Sequence, residues 1–350
     1  MKRRSLWTFG ALAIAIASLP ALAGGQAAVK GKKVVAKKAW TPPLTPDGHP
    51  DIQGVWLSNS ATPLERPEEL AGRPFLTDGE VAELKKRAER LFSDTSSDYA
   101  SGDNAFLAAF ANVETYKAPA KSTCNSLAMV TREFDNRTAL IIDPPDGKIP
   151  PLTPAGQRHR AAAAAAALRP ALGPEDLSNA NRCITLGVPR IGGNFGAGPY
   201  SYYQIFQNRN YVVLLMEVIH EARIIPLDGR PHLPPSISQW GGDSRGRWEG
   251  KTLVVETTNF SHQSNFMGSA ENLHLVERFT RVAPDTLRYE ITVDDPTIWT
   301  KPWTAMLPLG RTQDQIFEFA CHEGNAVLME SMMGAARADE KAAEEAARKR

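Results

Sequence analysis

The sequence predicts a mainly β protein, an antiparallel meander that closes into a barrel or a strongly curved sheet and carries a helical insert at about 75–170. Three observations lead there. From about residue 200 the chain becomes a run of β-branched and aromatic segments separated by a few turn-forming residues each. Those connections are too short to hold a crossover helix, so sequential neighbours pair antiparallel. Eight or more such strands must also manage two unpaired edges, which curling or closing the sheet does.

The amino terminus has a basic start at Lys2, Arg3 and Arg4, an apolar stretch from Leu6 to about Leu22, and the small-residue pattern Ala21-Leu22-Ala23. Together these predict a signal peptide over 1–23 and a mature chain starting near Gly24, periplasmic or secreted. The stretch is short and broken by Pro20, which argues against a retained membrane anchor, and no later segment suits a bilayer span. Arg3-Arg4-Ser5-Leu6 keeps twin-arginine export open beside the Sec route. Removing the leader takes away three basic residues, so 40 Lys and Arg become 37 against 39 Asp and Glu, a formal net charge of −2. Nucleic acid is therefore not an expected partner.

Lys30, Lys32, Lys33, Lys37 and Lys38 fall where there is little to bury, so 24–45 reads as a flexible linker and 46–334 as a single β-rich domain. Prolines 42, 43, 46 and 50 remove backbone donors, and Pro46-Asp47-Gly48 specifies a turn. Residues 51–56 read as a first short strand containing Gly54-x-Trp56. Thr77-Asp78-Gly79-Glu80 is a capping box, and behind it Val81, Leu84, Ala88, Leu91 and Phe92 share one face of a helix over about 78–92. The alanines of 161–167 mark a second helix, stopped at Pro170. Strand pairs then follow: 202–207 with 211–217, 247–248 with 252–258, 273–282 with 286–293, and 303–309 with 315–320. Residues 335–350 are Ala, Glu, Lys and Arg almost throughout, a solvated helical tail.

Three cysteines are an odd number for an oxidising compartment, so at most one intramolecular bridge forms. Cys183 and Cys321 each sit beside a strongly featured segment, Asn181-Arg182-Cys183 and Ala320-Cys321-His322-Glu323-Gly324. Cys124 lies in a loop rich in Ser, Thr and Asn. The expected bridge is Cys183–Cys321, with Cys124 free.

Three longer motifs carry a resemblance: Thr45-Pro46-Asp47-Gly48-His49-Pro50-Asp51-Ile52-Gln53-Gly54-Val55-Trp56, Asp143-Pro144-Pro145-Asp146-Gly147-Lys148-Ile149-Pro150-Pro151-Leu152-Thr153-Pro154, and Gly242-Asp243-Ser244-Arg245-Gly246-Arg247-Trp248-Glu249-Gly250-Lys251-Thr252-Leu253-Val254-Val255. In these the chain resembles a widespread family of exported bacterial proteins over nearly all its mature length. The resemblance implies export and kinship and supplies no chemistry. Separately, an early Gly-x-Trp followed by late antiparallel meanders is similar to lipocalin-type barrels, which implies a lipocalin-like barrel; the insert at 75–170 departs from that plan.

Several chemistries can be set aside. Gly242-Asp243-Ser244-Arg245-Gly246 matches the nucleophile-elbow spacing, but a hairpin follows where that motif needs a helix, so Ser244 reads as part of a polar turn. Gly192-Gly193-Asn194-Phe195-Gly196-Ala197-Gly198 lacks the Gly-Lys-Ser/Thr of a phosphate loop and reads as a flexible loop or lid. His220, His232, His274 and His322 lie in the β half without the spacing that puts two imidazoles on one face, so no metal site is predicted. No cofactor motif is found.

Strand parity gives a sharper signal. Glu217 interrupts the alternate row Val213, Leu215, Ile219, and Glu277 interrupts Leu273, Leu275, Phe279. A carboxylate on an inward face needs a partner, and Arg223, in register with Ile225 and Leu227, or Arg278 next to Glu277, can supply one. The candidate catalytic set is Glu217, His220, Arg223 and Glu277; His220 has the wrong parity and joins only through a bulge. The candidate ligand-binding residues are Asp228, Arg230, His232, Trp240, Arg278, Tyr289 and Trp303. Two readings follow: a protein enclosing a small apolar or aromatic ligand, or an acid–base enzyme of lyase, isomerase or hydrolase type using the Glu/His/Arg set. A structural ion-pair network is the plainer account of the same carboxylates.

Overall fold

Alternation of apolar and polar residues builds one sheet in the computed structural model, which describes residues 40–92, 104–115, 132–169, 171–189 and 202–348. Its strands are β1 (Gly54–Leu57), β2 (Ile141–Asp143), β3 (Tyr202–Gln207), β4 (Tyr211–Met216), β5 (Ala222–Pro226), β6 (Asp243–Glu249), β7 (Thr252–Thr258), β8 (His274–Ala283), β9 (Thr286–Asp294) and β10 (Trp303–Thr312). They lie in the order β5-β4-β3-β1-β10-β9-β8-β7-β6, every pairing antiparallel. The short β1 and β2 share one side of β10: β1 pairs with Gly310 to Thr312, β2 with Thr304 and Ala305.

The inward rows of β8, β9 and β10 are Leu275-Glu277-Phe279, Leu287-Tyr289-Ile291-Val293 and Trp303-Ala305-Leu307-Leu309, all buried. With Trp56, Ile205, Val212 and Ile225 from the other half they make the main core. Full burial stabilises by roughly 1.5–3 kcal/mol for each such large apolar side chain. Outward positions carry polar and charged groups, as in the His274–Glu256 hydrogen bond and the Arg278–Glu249 ion pair.

The sheet is strongly curved but not closed by a ladder. Its edges are β5 and β6, and no backbone pairing joins them among the described residues. Their side chains nevertheless meet. A Cβ at Gly246 of β6 would lie 2.7 Å from Leu227 and 2.8 Å from Ile225, so the close approach requires glycine in that motif.

The capping box at Thr77 forms as expected and starts α1 (Asp78–Leu91). The Thr77 amide and the Arg73 side chain hold the Glu80 carboxyl down at about 2. α1 and α2 (Asn104–Ala111) enclose a second core containing Leu70, Leu84, Leu91, Phe106 and Phe134. In α3 (Pro154–Ala167) the Thr153 hydroxyl accepts from the Gly156 amide, and Pro154 occupies the first turn. A Cβ at Gly156 would sit 2.5 Å from the Ile298 carbonyl, so the end of the Pro-rich motif is shaped by this packing. The region 75–170 is thus helical only in pieces, with β2 inside it.

Other expectations shift. Residues 315–320 form no strand, because both sides of β10 are already occupied by β9, β1 and β2. The terminal helix α4 (Asn325–Arg348) begins earlier than the polar tail and docks on the 172–181 segment, with Asn325 donating to the Asn181 carbonyl at 2.8 Å and Arg337 to Leu172 at 2.7 Å. Residues 40–45, read as linker, pack already: Trp40 and Trp56 both face the Arg281 guanidinium, at 5.7 and 5.6 Å. The Cys183–Cys321 disulfide is present, with a Cα separation of 5.8 Å. The expected leader, Cys124 and the 192–198 loop lie outside the described residues. Among the described residues no helix is long and apolar enough to cross a membrane.

Candidate functional site

Five strands each send one polar side chain into the interior of the curved sheet. Arg223 of β5 donates to Glu277 of β8 through both terminal nitrogens, at 3.0 and 2.6 Å. Its Nη2 also donates to Ser244 of β6 at 3.1 Å and Thr257 of β7 at 3.2 Å. The Tyr289 hydroxyl of β9 donates to the same Glu277 carboxylate. Glu277 is 0% exposed and Arg223 9%. Burial works against the Arg223 cation, but the adjoining carboxylate and its hydrogen bonds outweigh this and raise the guanidinium pKa. Burial and the Glu277 charge push the Tyr289 hydroxyl well up, so it stays a neutral donor.

Because β5 and β6 are the two edges, this ion pair ties one edge to three strands at the other. It stands where a closed barrel would have a backbone ladder. The void beside it, lined by Val188, Tyr203, Leu214, Met216, Arg223 and Tyr289 among others, is about 10 Å³. That void holds one water at most, too little for a ligand beside the pair.

Of the four candidate catalytic residues the structure brings together Arg223 and Glu277, with Tyr289 from the ligand-binding set. Glu217 and His220 are elsewhere. The inward row of β4 is Val212-Leu214-Met216, the opposite parity to the row proposed from sequence, and β4 ends before Glu217. Glu217 then opens a 3-10 turn over Val218–His220, in which Ile219 and His220 have positive φ. Its carboxylate accepts from the Phe317 amide at 3.0 Å, and burial raises its pKa. His220 is exposed, with Nδ1 3.3 Å from the Phe319 carbonyl. Among the described residues neither bonds to the Arg223–Glu277 pair.

The remaining candidates also scatter. Asp228 and Arg230 pair with each other on the surface. His232 Nδ1 lies 2.9 Å from Asp243, whose other oxygen accepts from Arg245 at 2.6 Å. Arg278 points outward to Glu249. Trp303 is fully buried, between Trp299 and Phe266. Of this set only Trp240 lines a sizeable cleft. Ser244 is buried and bonded to Thr257 and Arg223, which is no place for a nucleophile.

That cleft measures about 550 Å³ and opens at the end of the sheet where β7 leaves and β8 begins. Such a volume suits a small organic molecule. One wall is the 177–188 segment, including Asn179, Arg182 and Val188; the other is the 260–273 connection, including Phe260 and Phe266. The walls are joined where Asn179 Nδ2 donates to the Gln263 carbonyl at 2.9 Å. Thr185 donates to Glu221 at 2.9 Å and so fastens the first wall beside β5. Val188 lines both this cleft and the inner void, separating the two. No group of three or more His, Cys, Asp or Glu suited to a metal occurs among the described residues.

Sequence reasoning missed Arg182, Phe260 and Phe266. One signal was available: the 259–273 connection is far longer than the other hairpin turns, and long ordered loops tend to be functional. Fold and site together define a curved antiparallel sheet protein, braced inside by an ion pair and open to solvent at one end. Comparison of the chain with protein-family models, curated proteins and solved structures gives no match in any of the three.

Proposed function

We propose that this is an exported protein that binds a small apolar or aromatic molecule in the cleft between residues 177–188 and 260–273. The observation that carries the reading is the contrast between two spaces: about 550 Å³ in the cleft against about 10 Å³ inside the sheet. The cleft offers Trp240 as aromatic surface, with the nearly buried rings of Phe260 and Phe266 at its floor and amide and guanidinium groups to fix orientation. The Cys183–Cys321 bridge at the edge of this wall supports an oxidising compartment, and with it the leader over 1–23. A rolled antiparallel sheet with a ligand at its open end is also the feature a lipocalin-like protein would share. The acid–base alternative has less support, because Glu217 and His220 do not join Arg223 and Glu277.

Two measurements test the reading. Native mass spectrometry of the protein recovered from its own cells should show a small-molecule adduct that Trp240→Ala loses while its thermal unfolding stays unchanged. The same spectra should give a chain beginning near Gly24. An adduct retained in the variant would place the ligand elsewhere.

A further inference from the structure

We propose that the cleft takes an acid, its carboxylate received by the Arg182 guanidinium and its apolar or aromatic body lying against Trp240 and Phe266. This rests on the binding reading above and names the chemical class of the ligand.

Among the described residues, every other arginine that is not exposed has an acceptor. Arg66 donates to the Pro145 and Asp146 carbonyls, and Arg137 to Asp135. Arg245 donates to Asp243, and Arg281 to the Asp51 and Pro284 carbonyls. Arg87 and Arg278 have glutamates, Arg132 has the Ser60 carbonyl, and Arg223 has Glu277. The Arg182 side chain is half-buried, lines the cleft and has no acceptor among the described residues. A guanidinium removed from part of its water gains from an acceptor, and its planar fork matches a carboxylate in two parallel hydrogen bonds.

The backbone holding Arg182 is fixed from both sides. Asn181 takes a hydrogen bond from Ser178 at 2.7 Å, and its carbonyl accepts from Asn325 of α4. Cys183 is tied to Cys321. The cation is therefore presented on a rigid turn, which lowers the ordering needed on binding. Glu175 stands exposed on the same cleft. Its charge opposes a second anionic group, so monoacids are favoured over diacids.

Isothermal titration of the mature chain with phenylacetate, 3-phenylpropanoate and 2-naphthoate, and with their primary amides, tests this. The acids should bind about ten-fold or more tighter than the amides, and salt should weaken the acids alone. R182Q should abolish that preference, bringing the acids to the level of the amides, and R182K should keep part of it. Because amide binding reports a folded cleft, loss of both series in R182Q leaves the wild-type and R182K comparison to decide. Acids and amides binding alike to wild type, or a preference that survives R182Q, would overturn the acid class and leave the cleft reading standing. Binding of neither series, with no change in Trp fluorescence, would overturn both.

Discussion

Replacing Glu277 by Gln keeps the side-chain volume but removes the charge that faces Arg223. Glu277 has no exposed surface and Arg223 almost none, so the remaining cation has no water to turn to. Breaking one partner of a buried pair costs about 3–5 kcal/mol. Against a total stability of about 5–15 kcal/mol this is a large share. For a chain of this size it lowers the Tm by about 6–10 °C, at about 2 °C per kcal/mol. The effect should be strongly non-additive. With Arg223→Met and Glu277→Leu together both charges are gone, Ser244 and Thr257 still bond each other at 2.9 Å, and only the Tyr289 hydroxyl is orphaned, at about 1–3 kcal/mol. Adding Tyr289→Phe removes that group and preserves its ring contact with Phe279, 4.4 Å away. Thermal and denaturant unfolding followed by circular dichroism should therefore rank the triple variant above either single charge deletion. If Glu277→Gln unfolds at the wild-type temperature but loses ligand binding or turnover, the pair is functional machinery and the structural reading is refuted.

Two further outcomes are expected. Burial raises the Glu217 carboxyl, so the folded state prefers the protonated form; that contribution is present below the unfolded carboxyl pKa and is lost as pH rises through the folded one. Glu217→Gln, which still accepts from Phe317, should then raise the Tm at pH 7 by about 1 °C or more and leave it unchanged at acid pH; a lower Tm at pH 7 would contradict this. The disulfide closes a separation of 138 residues, so Cys183→Ser should cost about 2–5 kcal/mol in urea unfolding, and an unchanged midpoint would show that α4 and the cleft wall are held without it.

How far the fold was legible depended on how one-sided each strand is. In β8 the outward His274 and Arg278 alternate with inward Leu275 and Phe279, so the inward place of Glu277 followed from parity. In β4 the run Tyr-Val-Val-Leu-Leu-Met is apolar on both faces, and parity cannot choose between its rows. Nothing local marks its end either: Ile219 and His220 take positive φ without being Gly, Asn or Asp, a conformation imposed by tertiary packing. Residues 315–320 alternate like a strand, but a strand also needs an open edge, which the sequence of one segment does not reveal. The cleft was least legible, because Arg182 gains meaning only from what does not touch it.

The way the two sheet edges approach each other also bears on where the proposed ligand can go. A sheet whose edges meet through a backbone ladder can leave its interior as a cavity. Here the β5 edge reaches across through Arg223, which donates to Ser244 on the β6 edge and pairs with Glu277 on β8, and the desolvation of that pair requires a filled surround of Ser244, Thr257, Tyr289 and packed apolar chains. The brace thus occupies the space that a central pocket would need. The open space lies instead at the end of the sheet, where Val188 is the partition between the braced interior and the cleft proposed to bind. The charges that hold the sheet and the charge proposed to meet the ligand are therefore separate sets. Changes at Arg223 or Glu277 should act on stability, and changes at Arg182 on affinity.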